Sequence, residues 1–130
     1  MKTIKLIAAS AALFFAGTSA ASAAVHTKRA HTPSGNITCV ARNYGGPGWS
    51  LTCSAADPGR TMRISTSGRA YAARYQRVAS GGRELRCGGT YNLGPFRCQS
   101  FSDGLDCSVV PRGTSELRGF FISREMSYSF

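Results

Sequence analysis

Acidic residues, lysine and histidine are all scarce in this chain. Its 130 residues include six acidic residues and two histidines, and only three of the 16 basic residues are lysines. His26 and His31 both fall in a segment that is expected to be flexible, where they cannot be held against a nucleophile. No Gly-x-Ser-x-Gly, His-Glu-x-x-His or glycine-lysine phosphate-loop motif occurs. We therefore expect no catalytic residues and no enzyme activity.

Metal-binding and paired-carboxylate motifs are lacking as well. The five cysteines include no Cys-x-x-Cys pair, so we expect neither a metal nor another cofactor. Asp103 and Asp106 are close enough in sequence to suggest the two carboxylates of a glycoside hydrolase. Asp103 is expected to form a turn and Asp106 to be solvated, so this chemistry is not predicted.

A long apolar run occurs only at the beginning of the chain. Lys2 and Lys5 precede an apolar segment over 6–17, and Ala21-Ser22-Ala23 follows it. This order is typical of a signal peptide, which we place at 1–23. The run is too short to cross a bilayer, and no second one follows, so no transmembrane segment is predicted. The sequence thus predicts an exported protein, periplasmic or extracellular.

A sustained helical period is also missing. Fifteen glycines separate short segments in which apolar and polar residues alternate, as in β-strands. We expect a flexible basic lead over 24–35 and a single all-β domain over 36–130, a small disulfide-stapled antiparallel sandwich or barrel. Tyr71 to Val78 is ambiguous, because it alternates like a strand but is rich enough in alanine for two helical turns. We favour the strand.

Cysteines share strand faces with apolar residues. Phe96 and Cys98 lie on one side of a predicted strand, and Leu105 and Cys107 lie on one side of the next. The Asp103-Gly104 pair between them is a strong hairpin signal. Ile37 with Cys39, Leu51 with Cys53, and Leu85 with Cys87 repeat the pattern. The sequence therefore predicts cysteines on the inward faces of the sheet.

The expected export and the cysteine spacing together predict two disulfides. Neighbouring cysteines that face the same side pair most economically, which gives Cys39–Cys53 and Cys98–Cys107. Cys87 is left as a free thiol. We expect it to be a buried apolar thiol, with a reactive or intermolecular thiol as the alternative.

Several short motifs follow one another along the chain, namely Pro33-Ser34-Gly35-Asn36-Ile37-x-Cys39, Arg86-Cys87-Gly88-Gly89, Phe96-x-Cys98 with Cys107, and Gly119-Phe120-x-x-Ser123-Arg124. In this order they resemble a family of small exported bacterial proteins known as a domain of unknown function. The resemblance covers 33–130 and implies export and a small disulfide-bonded fold, but no established activity. Family members often carry a further cysteine before the position of Cys87, and this chain lacks it.

Basic residues dominate the charge of the mature chain. Without Lys2 and Lys5, 14 basic residues face six acidic ones, a formal charge of +8, and 13 of the 14 are arginines. If cysteines and apolar residues face inward, four arginines on different predicted strands face outward: Arg42, Arg63, Arg86 and Arg97. The guanidinium group suits phosphate, sulfate and carboxylate.

The charge pattern predicts a non-enzymatic binding module. The outward arginines are expected to engage an anionic envelope polymer or an acidic protein, and no specific nucleic-acid motif occurs. A plain solvated surface is the alternative reading of the same arginines. A second functional hypothesis is an inhibitor or partner of an exported enzyme that presents the loop Asn43 to Gly48.

Overall fold

Two packed β-sheets form the part of the chain that the computed structural model describes, residues 26–130. The predicted signal peptide lies outside these residues. The eleven strands are β1 (His26–His31), β2 (Ile37–Asn43), β3 (Ser50–Ala55), β4 (Arg60–Ser65), β5 (Tyr71–Ala73), β6 (Arg83–Glu84), β7 (Thr90–Leu93), β8 (Phe96–Ser100), β9 (Gly104–Val109), β10 (Arg118–Ser123) and β11 (Ser127–Ser129).

The chain builds the two sheets one after the other. The first is six-stranded, in the order β5-β4-β3-β2-β1-β6, and the second is five-stranded, in the order β11-β10-β9-β8-β7. Neighbouring strands are antiparallel except for the short parallel contact between β1 and β6. No helix occurs in residues 26–130, so the predicted all-β class is confirmed, and the fold is a sandwich.

The core lies between the sheets and is filled by the side chains on the inward face of each strand. Cys39 stands directly opposite Cys53, and Cys98 directly opposite Cys107, with all four side chains fully buried. Both predicted disulfides are present, with Cα–Cα distances of 4.1 and 4.0 Å. Large apolar side chains fill the rest of the core, namely Leu51, Met62, Ile64, Leu85, Phe96, Leu105, Phe120 and Ile122. The sulfurs therefore belong to the packed interior of both sheets.

The predicted flexible lead over 24–35 is wrong where the structure describes it. Residues His26–His31 form β1, which pairs along its whole length with β2 and sets Ala30 opposite Cys39. Ala30 is fully buried and is the one apolar residue of this strand. The strand is held by main-chain hydrogen bonds to β2, so its side chains carry little of the apolar alternation that marks a strand in sequence.

The ambiguous segment from Tyr71 to Val78 is a strand only in its first part. Residues Tyr71–Ala73 form β5 at one edge of the six-stranded sheet, whereas β6 lies at the opposite edge. Residues 74–82, which we call the crossing segment, therefore have to pass over the sheet. They do so on its outer face.

Hydrogen bonds tie the crossing segment to successive strands. Gln76 N donates to Thr61 Oγ1 of β4 at 2.9 Å, and Thr38 Oγ1 of β2 donates to Val78 O at 3.0 Å. At the far end Gly82 lies against β1, where an added Cβ would be 2.1 Å from the carbonyl oxygen of Arg29. Backbone thus covers one half of the outer face and leaves the other half open.

Replacing Gly82 with alanine tests this close approach. Gly82 has a φ of 78°, and the new Cβ would meet the backbone of Arg29. We expect Gly82→Ala to lower the free energy of unfolding by about 1–3 kcal/mol, measured by urea denaturation. Gly35→Ala is the matched control, because Gly35 has the same φ but open space around it. Equal losses in the two variants would show that the contact with Arg29 contributes nothing.

Removing one disulfide tests its contribution to stability. The Cys98–Cys107 bond closes a loop over a sequence separation of 9. We expect the double variant Cys98→Ala/Cys107→Ala to lose about 2–4 kcal/mol of unfolding free energy, because both the crosslink and two buried sulfurs disappear. Urea denaturation of the oxidised variant measures this loss. A midpoint equal to that of the unmodified protein would contradict the prediction.

Candidate functional site

The open half of the outer face of the six-stranded sheet brings two of the predicted arginines together. Strand pairing aligns Arg42 with Ser50 and Ser65 in one row across β2, β3 and β4. The adjacent row aligns Val40, Thr52, Arg63 and Tyr71. Because side chains alternate, these residues face away from the core that Cys39 and Cys53 enter. Arg42 and Arg63 thus lie diagonally across β3, the strand that separates β2 from β4.

A groove of ≈ 300 Å³ lies between these arginines. Serine and threonine hydroxyls of β3 and β4 lie on its floor, and the exposed tyrosines Tyr44 and Tyr71 stand at its sides. No acidic side chain lines it. Its lining residues are Val40, Arg42, Tyr44, Ser50, Thr52, Arg63, Ile64, Ser65, Tyr71 and Gln76, and we call it the Arg42–Arg63 groove.

Each guanidinium group has a hydrogen-bond contact with a neighbouring side chain. Arg63 Nη2 donates to Oε1 of Gln76 in the crossing segment. Arg63 Nε is buried and has no hydrogen-bond partner within the described residues. Arg42 Nη1 donates to the Tyr44 hydroxyl at 3.5 Å. The three salt bridges found in residues 26–130 involve neither arginine, so their charge is not neutralised by a carboxylate of the chain.

The other two predicted arginines do not join this site. Arg97 lies on β8 in the five-stranded sheet and faces solvent on the opposite side of the sandwich. Arg86 is not on a strand, since β6 ends at Glu84, and its Nε lies 3.8 Å from a Glu84 carboxylate oxygen. The four arginines therefore do not form one patch. Arg97 is on β8, which belongs to the other sheet, and Arg86 follows β6 at the far edge of the first sheet.

Cys87 is the free thiol, as predicted, but it is exposed and not buried. Leu85 takes the inward position and is fully buried. The chain then turns at Arg86 to Gly89, where Gly89 N donates to Arg86 O at 3.0 Å. This turn ends the alternation that would have brought Cys87 inward beside Leu85. The thiol instead lies 3.6 Å from Phe101 O.

The two tyrosines and the glutamine of the groove were not assigned to the arginine site from the sequence. Tyr44 belongs to the glycine-rich loop, and Tyr71 begins the segment whose structure was ambiguous. Gln76 reaches the groove only because the crossing segment passes over β4 and β3. The position of Tyr71 follows from its pairing with Arg63, but no feature of the sequence indicates the path of Gln76.

Asp106 is half-buried on the outer face of the five-stranded sheet, whereas it was expected to be solvated. Desolvation by burial raises the pKa of this carboxyl from its ordinary value of 3.8. The folded protein therefore holds the proton more tightly than the unfolded chain. The Asp106 carboxyl therefore contributes to stability fully below its pKa in the unfolded chain, and this contribution is lost as the pH rises through its pKa in the folded protein.

Replacing Asp106 with asparagine tests this burial. At pH 7 we expect Asp106→Asn to have a higher free energy of unfolding than the unmodified protein, because the cost of a partly buried charge is removed. The difference should disappear below about pH 3.8, where the unfolded carboxyl is also protonated. Urea denaturation across this pH range measures it, with Asp103→Asn, an exposed site, as the control. A difference that is constant with pH would contradict the prediction.

The described residues contain neither a group of metal ligands nor a membrane-spanning helix. Among the described residues, no group of three or more His, Cys, Asp or Glu side chains is placed to hold a metal ion. Over the same residues, no helix has the length and apolar character needed to cross a membrane.

The chain was also compared with known proteins. No family model, no curated protein and no solved structure matches it. The resemblance to the small exported family therefore stays a prediction.

Proposed function

We propose that this protein is an exported, non-enzymatic module that binds an anionic polymer of the cell envelope through the Arg42–Arg63 groove. The two disulfides fit an oxidising compartment, periplasmic or extracellular. The observation that carries the proposal is the meeting of two unneutralised guanidinium groups in a groove without carboxylates.

The chemistry of the groove favours a ligand that carries anionic oxygens. Guanidinium groups donate to phosphate, sulfate or carboxylate with a planar fork. Ser50, Thr52 and Ser65 add hydroxyls that donate to or accept from a polar chain. Because Arg63 is already oriented by Gln76, little of its conformational freedom is lost on binding.

The open shape of the groove favours a polymer over a small molecule. It lies on a sheet face, between the loop that carries Tyr44 and the strand that carries Tyr71. These tyrosines are 63% and 53% exposed, so neither closes over the site. A chain can therefore pass through the groove and continue along the surface, where the net positive charge adds attraction.

Salt-dependent binding of polyphosphate and polygalacturonate tests the proposal and separates phosphate from carboxylate ligands. Two arginine contacts predict that affinity falls roughly tenfold between about 50 and 200 mM salt. The double variant Arg42→Gln/Arg63→Gln should lose most of this dependence, measured by fluorescence anisotropy of the labelled polymer.

The double variant Arg86→Gln/Arg97→Gln is the charge-matched control. It also removes two positive charges, but from outside the groove, and it should retain binding. If both double variants lose affinity equally, the attraction comes from net charge alone and the groove is not the site.

One observation favours the second candidate, an inhibitor or partner of an exported enzyme. The loop from Asn43 to Gly48 is held by its own first residue, because Gly45 N and Gly46 N donate to Asn43 Oδ1 at 2.7 and 3.2 Å. A pre-organised loop of this kind presents Tyr44 at low entropic cost. This function predicts a complex that Tyr44→Ala weakens and that salt affects little.

A further inference from the structure

The outer face of the five-stranded sheet carries a second, different arrangement of side chains. Strand pairing aligns Gln99, Asp106, Phe121 and Tyr128 in one row across β8, β9, β10 and β11. The adjacent row contains Arg97, Ser108 and Gly119, and Phe130 lies against that glycine. The face is thus aromatic on β10 and β11 and polar on β8 and β9.

The aromatic half, which we call the aromatic platform, consists of Phe121, Tyr128 and Phe130. The ring centroids of Phe121 and Tyr128 are 5.4 Å apart with an angle of 27° between the rings, and those of Tyr128 and Phe130 are 6.5 Å apart. Tyr128 is 50% exposed and Phe130 is 41% exposed. Three neighbouring rings therefore present apolar surface to solvent on one face.

Two glycines let the rings lie close to the sheet. A Cβ added to Gly119 would be 2.6 Å from the Phe130 ring, and one added to Gly104 would be 2.7 Å from the Phe121 ring. Phe130 is also fixed at its backbone, because Gly119 N donates to Phe130 O at 3.1 Å and Phe130 N donates to Gly119 O at 2.9 Å. The rings of Phe121 and Phe130 therefore pack against the sheet, and the backbone of Phe130 is held in place.

The polar half offers hydrogen-bonding groups beside the rings. Gln99 and Arg97 are exposed, and Asp106 lies directly opposite Phe121. None of the three salt bridges of the described residues involves Arg97 or Asp106. Amide, carboxylate and guanidinium groups with free hydrogen-bonding capacity thus border the platform.

From this juxtaposition we propose that the face binds an extended oligosaccharide, with its sugar rings stacked on the aromatic platform and its hydroxyls bonded to Asp106, Gln99 and Arg97. A pyranose ring has an apolar face of C–H groups and an equatorial edge of hydroxyls. The platform matches the first and the polar half matches the second. The face is about 20 Å across its five strands, enough for several sugar units. This site is separate from the Arg42–Arg63 groove.

The charged groups of the polar half favour this ligand over a second copy of the chain. A second copy would have to bury Asp106 and Arg97, either paired across the interface or unpaired, and burying charged groups costs desolvation free energy. A sugar instead brings a hydroxyl for every such group and leaves the rest of the face wet.

Titration of the full chain with defined hexasaccharides tests the proposal. The protein is expressed with its own leader, purified oxidised and followed by amide NMR shifts. Cellohexaose and chitohexaose, which are extended chains, should give saturable shifts on β8 to β11. Maltohexaose, which is coiled, should bind more weakly. Tyr128→Ala should weaken binding by about tenfold, and Tyr128→Trp should retain it. Tyr75→Ala, which removes an exposed tyrosine from the crossing segment over the other sheet, should change nothing.

Each of several results would overturn the proposal. The first is that neither extended hexasaccharide causes saturable shifts, and the second is that the shifts fall on the six-stranded sheet. The third is that Tyr128→Ala binds like the unmodified protein. A concentration-dependent dimer that Tyr128→Ala dissociates would also overturn it and would assign the face to a second copy. Polyanion binding by the groove is read out separately through its salt dependence, so either site can fail alone.

Discussion

The inward alternation of β2, β3, β8 and β9 is the constraint on which the rest of the structure depends. It brings Cys39 opposite Cys53 and Cys98 opposite Cys107, so that each disulfide joins directly paired residues inside the core. A slip of one residue in either pair would turn the sulfurs outward together with every apolar neighbour. The crosslinks and the apolar contacts therefore fix the same register, and that register decides which side chains reach solvent.

The two outer faces differ because the chain covers only one of them. The crossing segment passes over the six-stranded sheet and satisfies the hydroxyls of Thr38, Ser54 and Thr61, which would otherwise lie open on a flat sheet. What it leaves uncovered is the Arg42–Arg63 groove. The five-stranded sheet has no such cover in the described residues, and its outer face carries the aromatic platform instead.

Local pattern explains what could be predicted from the sequence. The hairpin of β8 and β9 was predicted from the Asp103-Gly104 pair between alternating segments, although in the structure Gly104 already begins β9. The disulfides follow from cysteines on the same face of neighbouring strands. β1 escaped prediction because Ala30 is its one inward apolar residue. Cys87 was placed inward because Leu85 and Cys87 are spaced like residues on one face of a strand. Two residues are too few to show that the chain turns between them, as it does at Arg86 to Gly89.

The functional faces were only partly predictable, since they depend on contacts between distant segments. Arg42 and Arg63 meet because β2 and β4 flank the same strand, and this pairing follows from short local connections. The separation of Arg97 from them depends on which sheet each half of the chain joins. The path of the crossing segment, which brings Gln76 to Arg63, spans the whole sheet and leaves no periodic trace in the sequence.

Each disulfide stays within its own half of the chain, and none links the first sheet to the second. A single backbone cut at Gly81 would therefore yield two fragments, each with its own sulfur bridge, that separate on a non-reducing denaturing gel. In native buffer they would stay associated through the shared interior and through the pairing of β6 with β1. The domain is in this sense a natural split protein, suited to reconstitution from two separately produced pieces.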